Sequence, residues 1–195
     1  MRIKICGVTS AEIVDTAVAE GVDAIGFVFA ESPRQVDTAL AAGLMQRLPP
    51  WVAAVAVTRH PPAGFSDVLA QLAPAWWQSD RRDLENVILP PGVRSIPVIR
   101  EGEDTADLPP WFVYEGAQSG RGTTVDWSRA AQLAQRGRMI LAGGLNAANV
   151  AAAIRTVRPW AVDVSSGVET APGRKCATLI REFVAAVRQA EREIA

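Results

Sequence analysis

The chain has 195 residues, a net charge of −1, an apolar fraction of 49% and a charged fraction of 21%, which is the make-up of one soluble domain with a full core. So balanced a charge gives no electrostatic case for a nucleic-acid partner or an anionic membrane surface, and no apolar run reaches the roughly 18 residues that a bilayer span needs. Two cysteines, Cys6 and Cys176, outside any metal-ligand spacing, and a single histidine, His60, argue against a metal centre or a Ser-His triad and for a reducing cytoplasm.

The chain opens Arg2-Ile3-Lys4-Ile5-Cys6-Gly7, which reads as a strand and not as a signal peptide. Ile3 and Ile5 share one face, and Arg2, Lys4 and Cys6 share the other. Thr9 or Ser10 offers a cap for a helix over about 11–20. Residues 24–29 read as a second buried strand, 30–34 as a proline-punctuated loop, and 37–46 as a helix stopped by Pro49 and Pro50. A third strand follows at 51–57. His60 precedes Pro61-Pro62 and is read as a loop residue. A helix is expected at about 66–71, a short strand at 75–78 and one or two helical turns at 80–85.

Strands are next expected at 96–99 and 111–114, with room between them for little more than a helical turn. Residues 115–124 carry three glycines and small polar side chains, the composition of a mobile lid. Asp126 or Ser128 starts a helix to about 135. A strand at 139–142 ends in Gly143-Gly144, and Asn146 caps a helix to 157. The last strand, 161–165, leads to Ser166-Gly167, and a final helix is expected from about 174 to 193, with Cys176 a structural residue inside it.

Eight strands, each followed by something helical, argue a parallel sheet. A doubly wound nucleotide-binding sheet would want GxGxxG after its first strand, and Gly7 stands alone there. The expectation is therefore a single-domain α/β (β/α)8 barrel over 1–195, compact against the usual lower bound of about 200 residues, with short or irregular helices in its middle.

In such a barrel the chemistry sits at the carboxyl ends of the strands. Cys6 ends the first strand, where a thiolate can act as base or nucleophile. Its plainer reading is a small buried apolar residue. Gly143 and Gly144 end the seventh strand and Ser165, Ser166 and Gly167 the eighth, the two positions where barrels commonly hold a phosphate. The pair implies a phosphorylated small substrate. Asp126 is a proton-donor candidate, or simply a helix cap. Asp163, flanked by valines, needs a hydrogen-bond partner, and Arg34 could clamp a carboxylate. Of the 20 basic residues only Lys4 and Lys175 are lysines, a bias to which the sequence alone gives no functional meaning.

Several stretches together resemble the phosphoribosylanthranilate isomerase family of tryptophan biosynthesis. They are Lys4-Ile5-Cys6-Gly7-Val8-Thr9, Gly26-Phe27-Val28-Phe29 with Ser32-Pro33-Arg34, and Val125-Asp126-Trp127. The others are Leu141-Ala142-Gly143-Gly144-Leu145-Asn146 and Val162-Asp163-Val164-Ser165-Ser166-Gly167-Val168-Glu169 with Pro172-Gly173. The resemblance implies a barrel without cofactor or metal, acting as a monomer on a phosphorylated small molecule. It also implies the roles: Asp126 as general acid, Cys6 as general base, and Arg34 on the anthranilate carboxylate. The turns at Gly143-Gly144 and Ser165-Ser166-Gly167 would take the phosphate, and Asp163 would lie near the ribose. The implied reaction is an Amadori rearrangement.

The central third departs from that pattern. Trp77-Gln78-Ser79-Asp80 stands where the family has Gln-Leu-His-Gly, Val98-Ile99-Arg100-Glu101 replaces a lysine-alanine strand end, and Val113-Tyr114-Glu115 replaces an aspartate-bearing one. These departures leave two rival readings, a phosphosugar isomerase or epimerase on another ribosyl phosphate, and a binder of phosphorylated ligands without catalysis. Trp76-Trp77 could line an aromatic subsite or pack against a helix.

Overall fold

Alternation in the first strand sets the two-sided logic of the molecule. Ile3 and Ile5 are buried among Ile13, Val14, Ile180 and Phe183 of the surrounding helices, while Lys4 and Cys6 point the other way, into the barrel. The protein is described by a computed structural model covering residues 1–117 and 124–194. Eight parallel strands close in sequence order: β1 (Arg2–Cys6), β2 (Ala24–Val28), β3 (Ala53–Val57), β4 (Trp76–Asp80), β5 (Arg94–Arg100), β6 (Trp111–Glu115), β7 (Arg138–Leu141) and β8 (Ala161–Val164). Pairing of β1 with β8 completes the ring and sets Lys4 beside Asp163. Pairing of β1 with β2 sets Cys6 beside Gly26.

Among the described residues six helices surround the strands: α1 (Ala11–Ala19), α2 (Thr38–Met45), α3 (Phe65–Leu72), α4 (Trp127–Ala134), α5 (Val150–Val157) and α6 (Ala177–Ile194). Between β4 and β5 there is only the 3-10 turn Arg81–Leu84, and no helix is described between β5 and β6. Pro90, Pro91, Pro109 and Pro110 lie in these connections and supply no backbone N–H for a helix. The expected irregular middle is thus where the outer layer is thin, which is how the barrel closes in so short a chain. Among the described residues no helix is long and apolar enough to cross a membrane.

Three local expectations change. The final helix starts at Ala177, because Pro172-Gly173 turns residues 169–175 into a small antiparallel hairpin, β9 (Glu169–Ala171) and β10 (Arg174–Lys175). Gly173 has φ +80°, and a Cβ there would stand 2.2 Å from the Pro33 carbonyl oxygen. Cys176 therefore precedes the helix and accepts the Ile180 N–H on its carbonyl. Asn146 caps a turn and not the helix, accepting from the N–H groups of Ala148 and Asn149, and α5 begins only at Val150.

The mouth of the barrel opposite the site is closed by tryptophan and arginine. Trp76, Trp111 and Trp160 form a chain with ring centroids 5.9 and 4.6 Å apart. Arg94, Arg138 and Arg2 lie over those rings at 3.8, 4.5 and 4.6 Å, each contact worth about 0.5–1 kcal/mol at an exposed position. Trp77 faces outward against Phe65 and donates its indole N–H to Thr58 Oγ1. Neither half of the Trp76-Trp77 pair lines the cavity described next, so the aromatic-subsite reading does not hold.

Candidate active site

A cavity of about 270 Å³ opens at the carboxyl ends of the strands. Its walls bring together seven of the sequence candidates: Cys6, Arg34, Gly143, Gly144, Asp163, Ser165 and Ser166. Val98 and Ala142 belong both to its lining and to a small apolar cluster with Ile96, Val113, Ile140 and Ala161, so its floor is a packed core.

At its centre are Cys6 and the ion pair behind it. Lys4 Nζ donates to Asp163 Oδ2 at 2.7 Å, and both side chains are buried. The register of β1 on β8 dictates this pair, since neighbours on one face of adjacent strands must meet. Burial opposes the lysine charge, but the Asp163 carboxylate and Cys6 hold the Lys4 pKa above its ordinary range. Burial pushes the Cys6 thiol up, and the Lys4 ammonium pulls against that without overcoming it. Asp163 Oδ1 is buried and has no hydrogen-bond partner among the described residues. An unpaired buried carboxylate oxygen costs about 1–3 kcal/mol or more, and this one belongs to a residue that lines the cavity.

Gly26 makes room for the thiol. A Cβ on Gly26 would stand 2.8 Å from Cys6 Sγ and 3.2 Å from Lys4 Cε. Gly26→Ala is therefore expected to displace the sulfur and lower kcat by about tenfold or more, a 1 Å misplacement being worth up to about 10². Steady-state kinetics beside a melting curve would check it.

The turns after β7 and β8 press on each other. Gly143 and Gly144 have φ +89° and +60°, and Asn149 Nδ2 donates to the Gly144 carbonyl at 2.8 Å. Gly167 is not among the cavity-lining residues. A Cβ on it would stand 1.9 Å from the Leu145 carbonyl oxygen, so its place is the seam that lets the two turns lie together. Ser165 donates its hydroxyl to the Cys6 carbonyl at 3.0 Å.

Arg34 already holds a carboxylate, and it is the protein's own. Its Nε and Nη2 donate to Glu169 Oε1 and Oε2 at 2.8 and 2.7 Å. Lys175 Nζ also donates to Glu169 Oε1, and it reaches Ser165 O and Oγ at 3.3 and 3.2 Å. Burial would raise the Glu169 pKa, but Arg34 and Lys175 hold it below its ordinary value. Burial lowers the pKa of Lys175. Sequence reasoning gave no role to Lys4, Glu169 or Lys175. Two signals pointed at the lysines: Lys4 shares a strand face with Cys6, and Lys4 and Lys175 are the only lysines in the chain.

Asp126 stands apart. It is exposed, caps α4, and accepts from Ser128 N at 2.8 Å and Arg129 N at 3.3 Å. Its own N–H donates to Glu101 Oε1 at 2.8 Å. It is not among the cavity-lining residues. Most of the expected lid, residues 118–123, lies outside the described residues. The three altered strand ends, by contrast, fit one another. Arg100 Nη2 reaches Asp80 at 2.5 Å and Arg100 Nη1 reaches Glu115 at 2.6 Å. The departures at β4, β5 and β6 thus meet in one ion-paired wall, with the Arg100 guanidinium between two carboxylates.

A family model described as N-(5'phosphoribosyl)anthranilate (PRA) isomerase matches residues 98–186. An N-(5'-phosphoribosyl)anthranilate isomerase of Geobacter sulfurreducens is 41% identical over 197 residues, covering 94% of this chain and 97% of its own. Among solved structures, a phosphoribosyl anthranilate isomerase from Thermus thermophilus superposes with a TM-score of 0.84 at 30% identity, covering 97% of this chain and 99% of that one. Another phosphoribosyl anthranilate isomerase, solved in complex with reduced 1-(o-carboxyphenylamino)-1-deoxyribulose 5-phosphate, superposes with a TM-score of 0.77 at 30% identity and the same coverage.

Proposed function

Because the chain belongs to the N-(5'-phosphoribosyl)anthranilate isomerase family, we propose that its cavity carries out that isomerisation by acid–base catalysis with Cys6 as the base and Asp126 as the acid. The enzyme is an aldose–ketose isomerase, and its substrate is N-(5'-phosphoribosyl)anthranilate. The observation that carries the assignment of the base is the Cys6 thiol at the cavity with the Lys4 ammonium beside it, while the acid rests on the family resemblance of Val125-Asp126-Trp127.

Asp126 protonates the furanose ring oxygen, the bond from that oxygen to C1′ breaks, and C1′ becomes a protonated imine with the anthranilate nitrogen. The cation makes the C2′ hydrogen acidic, and the Cys6 thiolate removes it. The resulting enolamine takes a proton at C1′, gives up the proton of its 2′-hydroxyl and becomes the ketone. Lys4 holds negative charge on sulfur within reach, and Asp163 keeps Lys4 in place while its free Oδ1 accepts from a ribose hydroxyl. The phosphate lies at the turns of Gly143-Gly144 and Ser165-Ser166, where the paired glycines and the Ser166 hydroxyl support it. Arg34 meets the anthranilate carboxylate. All of these groups come from one chain and both cysteines are free thiols, which supports a monomer working in the cytoplasm.

The test is the loss of fluorescence of freshly made phosphoribosylanthranilate on adding purified protein. Decay well above the spontaneous rate is expected. Folded protein that leaves the spontaneous rate unchanged would overturn the assignment.

A further inference from the structure

Glu169 and Lys175 have no part in the proton transfers above, yet both are more deeply buried than the arginine they serve. Their side chains are 4% and 1% exposed, against 12% for Arg34. A guanidinium has two edges that can take a carboxylate. Glu169 fills the edge made by Nε and Nη2. The edge left over carries Nη1, and Arg34 lines the cavity. The stem of the same arginine lies on Gly7, where a Cβ would stand 2.6 Å from Arg34 Cδ. Arg34 is therefore held at its stem and along one edge, with the other edge left for a ligand.

The charges add a second argument. Lys4 and Asp163 cancel. Arg34 and Lys175 share a single carboxylate, Glu169, so with Cys6 as the neutral thiol, its main form near neutrality, this buried cluster carries one net positive charge. Without Lys175, the Arg34–Glu169 pair would be neutral and already satisfied, and an arriving carboxylate would compete with Glu169 for the same guanidinium. With Lys175 present, Glu169 stays anchored and the surplus charge matches one incoming carboxylate.

We propose that Glu169 and Lys175 are positioning residues that hold Arg34 edge-on to the cavity and leave it one charge short of neutral, which makes the site selective for an aryl ring bearing a carboxylate. This rests on the reading that Arg34 meets the anthranilate carboxylate, and the experiment separates the two.

Kinetics are measured on phosphoribosylanthranilate and on its aniline analogue, which lacks the carboxylate, for the wild type and for Lys175→Met, Glu169→Gln and Arg34→Met. The readout is the ratio of kcat/KM for the two substrates. In Lys175→Met the ratio is expected to fall by about 10–100-fold, the range of one charge-assisted hydrogen bond, through KM on the native substrate and not through kcat. Glu169→Gln, which keeps the side-chain volume, removes the anchor while raising the cluster's charge, so a fall in its ratio as well reports the loss of positioning and not of charge, and it supplies that readout if the methionine variant folds poorly. Equal losses on both substrates, or losses confined to kcat, would mean that the pair supports the fold or the thiol, and would overturn the proposal. If Arg34→Met also leaves the ratio unchanged, it is the carboxylate reading itself that fails. A ratio that falls in Arg34→Met and in neither of the others defeats only the positioning role.

Discussion

Replacing Cys6 with alanine is expected to lower kcat by about 10²–10⁴-fold, the usual worth of a positioned proton-transfer group. The loss of stability should be about 1 kcal/mol at most, because the change removes one sulfur atom beside an existing cavity. The pH profile identifies the group. Burial raises the Cys6 thiol above its ordinary value, so the thiolate is the minor form near neutrality and becomes more populated as pH rises. In Asp126→Asn, where no carboxylic acid has to hold a proton, the residual kcat/KM should therefore climb through about pH 7–9, the range that brackets an ordinary thiol, whereas in the wild type the same rise is offset by loss of the acid's proton. Lys4, held above its ordinary range, stays charged throughout and adds no falling limb there. A flat profile in the asparagine variant over that range, or an alanine variant within a few-fold of wild type, would remove Cys6 from the mechanism.

Asp126→Asn should produce a comparable loss, about 10²–10⁴-fold in kcat, with almost no change in melting temperature. Asparagine caps a helix about as well as aspartate, so α4 keeps its first turn while the transferable proton is gone. The geometry sharpens this test, because the Asp126 carboxylate faces Ser128 and Arg129 of its own helix. Acting as the acid requires the side chain to turn from its cap toward the cavity, at the cost of about 1 kcal/mol for a lost cap. If the asparagine variant keeps its turnover, Glu115 becomes the first group to test, since it lines the cavity at the end of β6.

The barrel was legible because strand and turn chemistry repeat. Alternation in Ile3-Lys4-Ile5-Cys6 gave the inner and outer faces of β1, and the glycine turns after β7 and β8 marked the functional end. Two things were not legible. Contacts between distant turns leave no local trace, so nothing near Gly167 announces that its missing side chain admits the Leu145 carbonyl. Partners chosen by register were equally hidden: Lys4 and Asp163 are 159 positions apart and meet only when β8 pairs with β1. The altered strand ends looked like isolated departures one at a time. Placed side by side, Asp80 and Glu115 share the Arg100 guanidinium. The hairpin before α6 was missed because Arg174, Lys175 and Cys176 are compatible with helix, and Pro172-Gly173 was read as a motif when it is also a turn.

The scarcity of lysine has a practical side. Only two of the 20 basic residues carry an amine on the side chain, and both amines are shut inside the walls of the cavity, with 5% and 1% of their side chains exposed. The amine of Met1 is paired with Glu191. To an acylating dye, a biotin ester or an aldehyde fixative, the exterior of this molecule is almost blank, because guanidinium groups supply its positive charge and do not acylate at neutral pH. Any label that does enter a lysine will have found the one region where it must interfere with turnover.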